Sequence, residues 1–236
     1  MTMDRPAVAS LHDALVDRLG AAIVRGELEP GSRLVTGDLS EGSSRGAGRE
    51  AVRVLQSLGL VRVRRKTGVE VRPSTDWNVY APEIIAWRLA GPGRDAQLRE
   101  LSELRGAIEP LAARAAATHA TSAQRQELIA AVIEMARTEH DADGGDYLAA
   151  DIAFHRTLLA ASGNSMLAAL GSVVESVLVG RTLHELMPHD ANPHAVRWHQ
   201  DVAFAIAAGR ADDAAEAMRL IVREADDAMR DASEDG

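Results

Sequence analysis

A change of hydrophobic period near the N-terminus constrains the fold more than any other feature of this sequence. Apolar residues recur at helical spacing up to Leu58, and Gly59 ends that helix. Apolar and polar residues then alternate on both sides of a tight turn at Lys66-Thr67-Gly68. This succession predicts three helices and a β-hairpin, over residues 8–26, 36–41, 44–58, 60–64 and 69–71. Three helices followed by a hairpin predict a winged helix-turn-helix, which we expect over residues 1–73.

The remainder of the chain has a helical pattern throughout. Residues 74–80 are expected to be a linker, because Pro73-Ser74-Thr75-Asp76 interrupts the preceding pattern. Thr121 and Asn164 are predicted N-caps. Helices are predicted over 81–90, 94–118, 122–140, 146–162, 165–187, 194–208 and 211–230. Helices of this length and number predict an antiparallel all-α bundle over residues 81–236, so the chain as a whole is expected to be mainly α.

Charge is distributed unevenly between these two parts. Residues 1–73 carry a net charge of about +3, and the remainder carries about −12. A basic module joined to an acidic one is typical of a DNA-binding head on a body that does not touch DNA. The absence of cysteine excludes disulfides, thiolate catalysis and cysteine-based zinc fingers. Because no N-terminal apolar segment and no apolar run of about 18 residues is evident, we expect a cytoplasmic protein without a membrane span.

Six short motifs occur in a fixed order along the chain: Gly26-x-Leu28-x-Pro30-Gly31-x-x-Leu34, Ser44-Arg45-x-x-x-Arg49-Glu50-Ala51, Leu58-Gly59-Leu60-Val61 with Gly68, Glu103-Leu104-Arg105-x-x-x-Glu109, Asp151-x-x-x-His155, and His199 followed by Ala205-Ile206. In this order they resemble the GntR family of regulators, in particular the FadR subfamily with an all-helical ligand-binding FCD domain. Trp77 and Trp87 stand in a segment that is similar to one found in repressors of sugar-acid catabolism, such as galactonate operon repressors. Simple packing between the two domains would account for these tryptophans equally well.

The candidate DNA-reading residues lie on the third helix and the hairpin. Arg45 and Arg49 are four residues apart, so they project from one face at the start of that helix. Arginine can hydrogen-bond a guanine edge through two donors or clamp a phosphate. Arg65 and Lys66, with Gly68 in the turn, suit contact with phosphate or the minor groove. A solvated basic surface is the alternative interpretation of the same residues.

Two departures from the family pattern affect this region. The segment Ser40-Glu41-Gly42-Ser43 is shorter than its counterpart in the family, so the second helix is expected to be poorly anchored. Gly46 and Gly48 lie inside the third helix, where each glycine costs about 1 kcal/mol relative to alanine. We therefore expect either the DNA affinity or the order of this helix to be weak in the free protein.

The candidate pocket residues lie in the bundle. Asp151 and His155 share one face of the helix predicted over 146–162, and a carboxylate and an imidazole at this spacing can bind one metal ion. The resemblance implies that these residues and His199 bind a divalent metal such as zinc. A further histidine ligand of the family falls at Ile221, which leaves three ligands and an open position. The resemblance also implies that Arg105 faces the carboxylate of an effector, and Arg181 and Thr182 are further candidates for the same pocket.

Other interpretations of the pocket residues remain open. Without a metal, Asp151, His155 and His199 would hydrogen-bond a polyhydroxy acid directly. A purely structural role would make Asp151 and Arg105 an ordinary core salt bridge, or the histidines satisfied members of the core.

The expected function is that of a repressor that binds double-stranded operator DNA and releases it when a small carboxylate or sugar acid binds to the bundle. A homodimer is expected, because helix-turn-helix proteins usually read paired half-sites. Two alternatives belong to other functional classes. One is a constitutive DNA-binding protein whose bundle only dimerises. The other is a metal-dependent enzyme, but the sequence offers no general base apart from the three ligands.

Overall fold

The structure is a computed structural model that describes residues 11–34, 45–64, 68–184 and 186–234. The described residues are mainly α-helical with one small β-sheet, which confirms the predicted fold class. Contacts divide the chain into two compact units, Met1–Arg94 and Asp95–Gly236. The helix predicted over 36–41 lies outside the described residues.

In the part of the chain that the structure describes, the first unit contains two N-terminal helices and a three-stranded sheet. Helices α1 (Leu11–Val24) and α2 (Arg45–Ser57) pack against each other. The strands are β1 (Arg33–Leu34), β2 (Val61–Arg64) and β3 (Gly68–Val71), and they form an antiparallel sheet in the order β1-β3-β2. The helices and the hairpin confirm the sequence predictions. Strand β1 was not predicted, because two residues are too few to show an alternating pattern.

The apolar stripes of α1 and α2 form the core of this unit. Leu15, Leu19 and Ile23 of α1 are buried, as their four-residue spacing predicts. Leu55 is fully buried on α2, and Ala51 and Leu58 are buried on the same side. The opposite face of α2 is therefore left for other contacts.

Helix α3 (Pro82–Leu89) packs within the first unit and not within the bundle. Its residues Ile84 and Trp87 belong to the same hydrophobic core as α1. The Trp87 ring lies so close to Gly20 that a Cβ atom at that position would be 2.2 Å from it. The boundary between the units therefore lies after Arg94, whereas the sequence suggested a linker over 74–80. Tryptophan packing within one unit explains this difference.

The second unit is an all-α bundle that agrees closely with the predicted pattern. Its helices are α4 (Arg94–His119), α5 (Ser122–Arg137), α6 (Gly145–Ala161), α7 (Ser165–Ala169), α8 (Gly171–Leu183), α9 (Pro193–Ala207) and α10 (Ala211–Glu234). The predicted caps are confirmed, since the Thr121 side chain accepts a hydrogen bond from the Gln124 backbone N–H and the Asn164 side chain accepts one from Met166. The helix predicted over 165–187 is instead two helices that meet at Leu170.

The segment that forms α7 and α8 is unusually apolar. An 18-residue window within Ser165–Leu183 has a mean hydropathy of 1.5 and is long and apolar enough to cross a membrane by length and composition alone. This corrects the sequence expectation that no such run exists. Val173, Val174 and Val177 are nevertheless buried within the bundle. A helix that packs on the core of a bundle can have the same composition, and 44% of this window is buried in the protein.

Candidate effector and metal site

Four helices of the second unit contribute the predicted polar side chains that line one cavity. Helix α6 contributes Asp151 and His155, which lie one helical turn apart, and α9 contributes His199. Helix α4 contributes Arg105, and α8 contributes Arg181. All five side chains are buried and line the cavity. The structure therefore brings together residues that are far apart in the sequence.

Three of these residues form a compact triangle of metal-ligand atoms. Asp151 Oδ1 lies 3.2 Å from His155 Nε2 and 3.5 Å from His199 Nε2. Two ligands bound at about 2.0–2.1 Å in tetrahedral geometry are about 3.3 Å apart. Asp151 Oδ1 and His199 Nε2 are buried but form no hydrogen bond of good geometry. Buried polar atoms normally have partners, so this set fits a divalent metal such as zinc.

The orientation of both imidazoles is set by neighbouring groups. His199 Nδ1 lies 2.7 Å from the carbonyl oxygen of Ala195, to which it must donate a hydrogen bond. In the neutral ring, Nε2 then carries a lone pair that faces Asp151. His155 Nδ1 lies 3.3 Å from Glu109 Oε2, an ion-pair contact without hydrogen-bond geometry, and its Nε2 faces Asp151. A carbonyl or carboxylate behind each histidine is the usual outer shell of a metal site.

Arg105 and Glu109 form a buried ion pair behind the triangle. Arg105 Nε donates to Glu109 Oε1 at 2.9 Å, and Nη2 donates to Oε2 at 3.3 Å. Burial alone would raise the pKa of Glu109, but the charges of Arg105 and His155 hold it at about 2. The core salt bridge of Arg105 is therefore made with Glu109, and not with Asp151 as one sequence interpretation suggested.

The charges of the metal-free site compensate one another. Burial would lower the pKa of His155, but Glu109 and then Asp151 raise it to about 9. Burial also opposes ionisation of Asp151, yet the two histidines hold its pKa well below the ordinary value. The His155 imidazolium thus lies between two carboxylates. Because a ligating histidine must be neutral, metal binding would release this proton.

The cavity is small in this conformation. Its volume of about 20 Å³ accommodates about one ion or water molecule. Met187, Pro188 and Asn192, from the connection between α8 and α9, form part of its wall. A sugar acid needs more space, so its binding requires these or other lining residues to move.

Of two further positions that the sequence assigned to the pocket, Ile221 lines the cavity and Thr182 does not. Ile221 is buried and lines the cavity, where the resemblance implies a fourth histidine ligand. Thr182 does not line the cavity, although the sequence grouped it with Arg181. Consecutive residues on a helix point about 100° apart, which explains why one side chain faces the cavity and its neighbour does not.

Sequence reasoning assigned no role to several polar residues at or behind the cavity, namely Glu109, Tyr147, Asn192 and Glu224. Glu109 is the most consequential of them, and its position four residues after Arg105 is the signal that could have revealed the ion pair. Tyr147 is buried, and its pKa is raised by burial and by the charge of Asp151. Asn192 Nδ2 donates to Glu224 Oε1 at 3.2 Å at the edge of the cavity. The contact between Asn192 and Glu224 joins two separate segments, so no local sequence spacing predicts it.

The candidate DNA-reading face is carried by α2. Arg49 is exposed, on the face opposite the buried Ala51 and Leu55. Arg45 begins the helix, but its side chain is outside the described part of the structure. The predicted contacts of Arg65 and Lys66 also lie outside the described residues.

The described part of the wing is less basic than its sequence suggests. Glu70 pairs with Arg62 at 2.5 Å and with Arg64 at 3.0 Å, so both charges are partly compensated. Gly68 begins β3 with a φ of +87°, a conformation that favours glycine. This backbone conformation accounts for a glycine at the start of β3.

A winged head followed by an all-α bundle is the architecture of a class of DNA-binding transcriptional regulators. The FCD domain family matches residues 100–224. The chain is 32% identical to the HTH-type transcriptional regulator Rv0494 of Mycobacterium tuberculosis, over 72% of this chain and 69% of that protein. It is 29% identical to the galactonate operon transcriptional repressor of Escherichia coli, over 89% and 93%. The solved structure of Streptococcus agalactiae GntR has the same fold, with a TM-score of 0.50 and 23% identity over 92% and 99% of the two chains.

These similarities identify the family. The chain belongs to the GntR-type transcriptional regulators with an FCD domain. It is therefore a DNA-binding regulator and not an enzyme.

Proposed function

We propose that this protein is a repressor that binds operator DNA and releases it when a small hydroxy-carboxylate, such as a sugar acid, binds in the cavity of the bundle. The single observation that carries the proposal is the triangle of Asp151, His155 and His199. Its ligand atoms converge on the cavity, and two of them lack a hydrogen-bond partner. Burial of such atoms is costly unless a ligand satisfies them.

In this proposal the three residues hold a divalent metal such as zinc. Three protein ligands leave an open position, as in other zinc sites that accept an external ligand. When bound, the metal supplies a Lewis acid for an effector oxygen. Glu109 and Ala195 support the site by fixing the orientation of the two imidazoles.

The DNA contacts are proposed from the exposed face of α2. Arg49 and Arg45 would read base edges, while Arg65, Lys66 and the backbone around Gly68 would contact the DNA backbone. A single short helix offers few base contacts, so we propose that a homodimer binds two half-sites. The protein would act in the cytoplasm, because a DNA-binding regulator needs access to its operator there.

The constitutive DNA-binding alternative is less favourable. A bundle that serves only for dimerisation has no need to bury Arg181, Asp151 and two histidines around a cavity. The name of the galactonate operon repressor gives D-galactonate as the first effector to test.

The proposal is tested by zinc titration calorimetry on protein stripped with a chelator. We expect one ion per chain, and we expect Asp151→Asn to weaken zinc binding at least tenfold. His194→Ala is the matched control, because this histidine is exposed and stacks on Trp198 away from the triangle. Equal zinc affinity in wild type and Asp151→Asn would refute the metal site.

Effector binding is tested separately by thermal shift of the zinc-loaded protein. A ligand at 100 times its Kd stabilises the folded state by about 2.7 kcal/mol. We expect this from at least one hydroxy-carboxylate in a panel that includes D-galactonate. Absence of any shift across the panel would contradict the effector assignment.

A further inference from the structure

Two loops of the second unit are joined by backbone hydrogen bonds beside the cavity. One loop precedes α6, and the other connects α8 and α9. The backbone N–H of Ala142 donates to the carbonyl oxygen of His189 at 2.7 Å, and that of Ala191 donates to the carbonyl oxygen of Glu139 at 2.7 Å. The second loop also contributes Met187 to the cavity wall. Any group that ties the two loops together therefore also restrains part of that wall.

Three side chains converge at this junction, namely Asp141, Asp143 and His189, which we call the clasp. Their metal-ligand atoms all lie within 4.8 Å of one another. His189 Nδ1 is 2.8 Å from Asp143 Oδ1. Ligands on opposite sides of an octahedral ion are about 4.2 Å apart. Because all three side chains are exposed, small rotations would let them reach one ion.

The position of the Asp141 carboxylate depends on the absence of a side chain at Gly144. A Cβ atom at Gly144 would lie 2.5 Å from Asp141 Oδ2. Gly144 has a φ of −82° and a ψ of 162°, which any residue adopts, so the space left for the carboxylate explains the glycine. Among the described residues, His189 pairs with Asp143 and no ion pair engages Asp141. The Asp141 carboxylate is therefore available to a further ligand.

The charges at the junction favour a bound cation. Residues 139–143 and 189–190 contain four carboxylates and two histidines. Asp143 is the main cause that raises the pKa of His189, and carboxylates of both loops add to this increase. The same surplus of negative charge would attract a metal ion.

From this geometry we infer that the clasp is a second divalent-metal site, which shares no residue with the triangle and does not depend on the proposed effector. Imidazole suits transition metals and carboxylates suit harder ions, so one imidazole with two carboxylates suits an ion such as Mn²⁺. The ion joins His189 of one loop to Asp141 and Asp143 of the other, and so restrains the cavity wall. Because the clasp is exposed to water, it binds Mn²⁺ more weakly than the triangle binds zinc and fills only when the ion is in excess.

The test is a Mn²⁺ titration followed by electron paramagnetic resonance, in which bound ions lose the sharp signal of free Mn²⁺. The protein is first loaded with one equivalent of zinc, which outcompetes Mn²⁺ at a common site and keeps the triangle filled. We expect one Mn²⁺ per chain. Loss of an outer-shell partner already weakens metal binding about 10- to 100-fold, so loss of a ligand in Asp143→Asn should weaken Mn²⁺ binding at least tenfold. The matched control Asp146→Asn removes the same charge from an exposed neighbour outside the clasp and should stay within threefold of wild type.

Hydrogen exchange followed by mass spectrometry tests the effect on the two loops. The amides of Ala142 and Ala191 donate across the junction. Mn²⁺ should therefore slow exchange in the peptides that contain them in wild type and in Asp146→Asn, but not in Asp143→Asn. Exchange that saturating Mn²⁺ leaves unchanged in wild type would show that the ion does not restrain the loops.

Three results of the titration overturn the site itself. They are no bound Mn²⁺ in wild type, an equal affinity in Asp143→Asn, and an equal loss in Asp146→Asn, which would indicate attraction by diffuse charge and not ligation. A repeat in the Asp151→Asn background separates the two metal sites. Mn²⁺ binding should persist there, and its disappearance would assign the ion to the triangle.

Discussion

The buried pair of Arg105 and Glu109 allows a quantitative test of how the site is built. Both side chains are almost completely buried, and two hydrogen bonds join them. Removal of one partner from such a pair typically costs about 3–5 kcal/mol, because the other charge stays buried. Among the described residues, the Glu109 carboxylate would then keep only its contact with His155 at 3.3 Å. We therefore expect Arg105→Met to lower the melting temperature by roughly 6–20 °C, at about 2–4 °C per kcal/mol for a protein of this size.

The double variant Arg105→Met/Glu109→Leu removes both charges and should recover most of this loss. Replacement of a complete buried ion pair by apolar residues is often neutral or stabilising. Thermal melts followed by circular dichroism measure the four corners of the double-mutant cycle. The matched control is Arg137→Met, whose exposed pair with Glu134 should contribute less than about 1 kcal/mol. The reasoning would be refuted if Arg105→Met were no more destabilising than Arg137→Met.

Three further predictions concern the head and the open metal position. Gly20→Ala should destabilise the first unit by about 1–3 kcal/mol in denaturant unfolding, because its Cβ would overlap the Trp87 ring. The control Gly93→Ala should be neutral, and equal effects of the two substitutions would contradict the packing argument. Arg49→Ala should weaken specific operator binding by about 1–3 kcal/mol in fluorescence anisotropy without changing the effector-induced thermal shift; wild-type operator affinity would show that this arginine does not read DNA. Ile221→His should tighten zinc binding and weaken effector binding by calorimetry, because a fourth ligand occupies the open position; unchanged zinc affinity would mean that this side chain does not reach the metal.

Local periodicity was sufficient to predict most helices and the hairpin. The four-residue spacing of Asp151 and His155 placed both side chains on one face of α6, and the structure has them there. The caps at Thr121 and Asn164 were equally local, since a side-chain oxygen bonds an N–H two or three residues later. These features depend on short stretches of chain, which is why the sequence alone reveals them.

The features that were missed depend on contacts between distant segments. Glu109 supports His155 only because α4 and α6 are neighbours in the bundle. Helix α3 packs in the first unit because the Trp87 ring lies against Gly20. The local sequence pattern does not indicate with which unit a tryptophan packs. The buried Arg181 Nε has no hydrogen-bond partner among the described residues, and this depends on which side chains other helices bring near it.

Operator release is the most direct test of the central claim that the acid effector and the metal act through one site. Operator DNA selected from a random library can be titrated with zinc-loaded protein by fluorescence anisotropy, with and without a saturating hydroxy-carboxylate. We predict that the effector weakens operator binding of the wild type at least tenfold, a coupling free energy of about 1.4 kcal/mol or more. His199→Ala should bind the operator but no longer respond. An operator affinity that no acid changes, or an undiminished response in His199→Ala, would contradict the account.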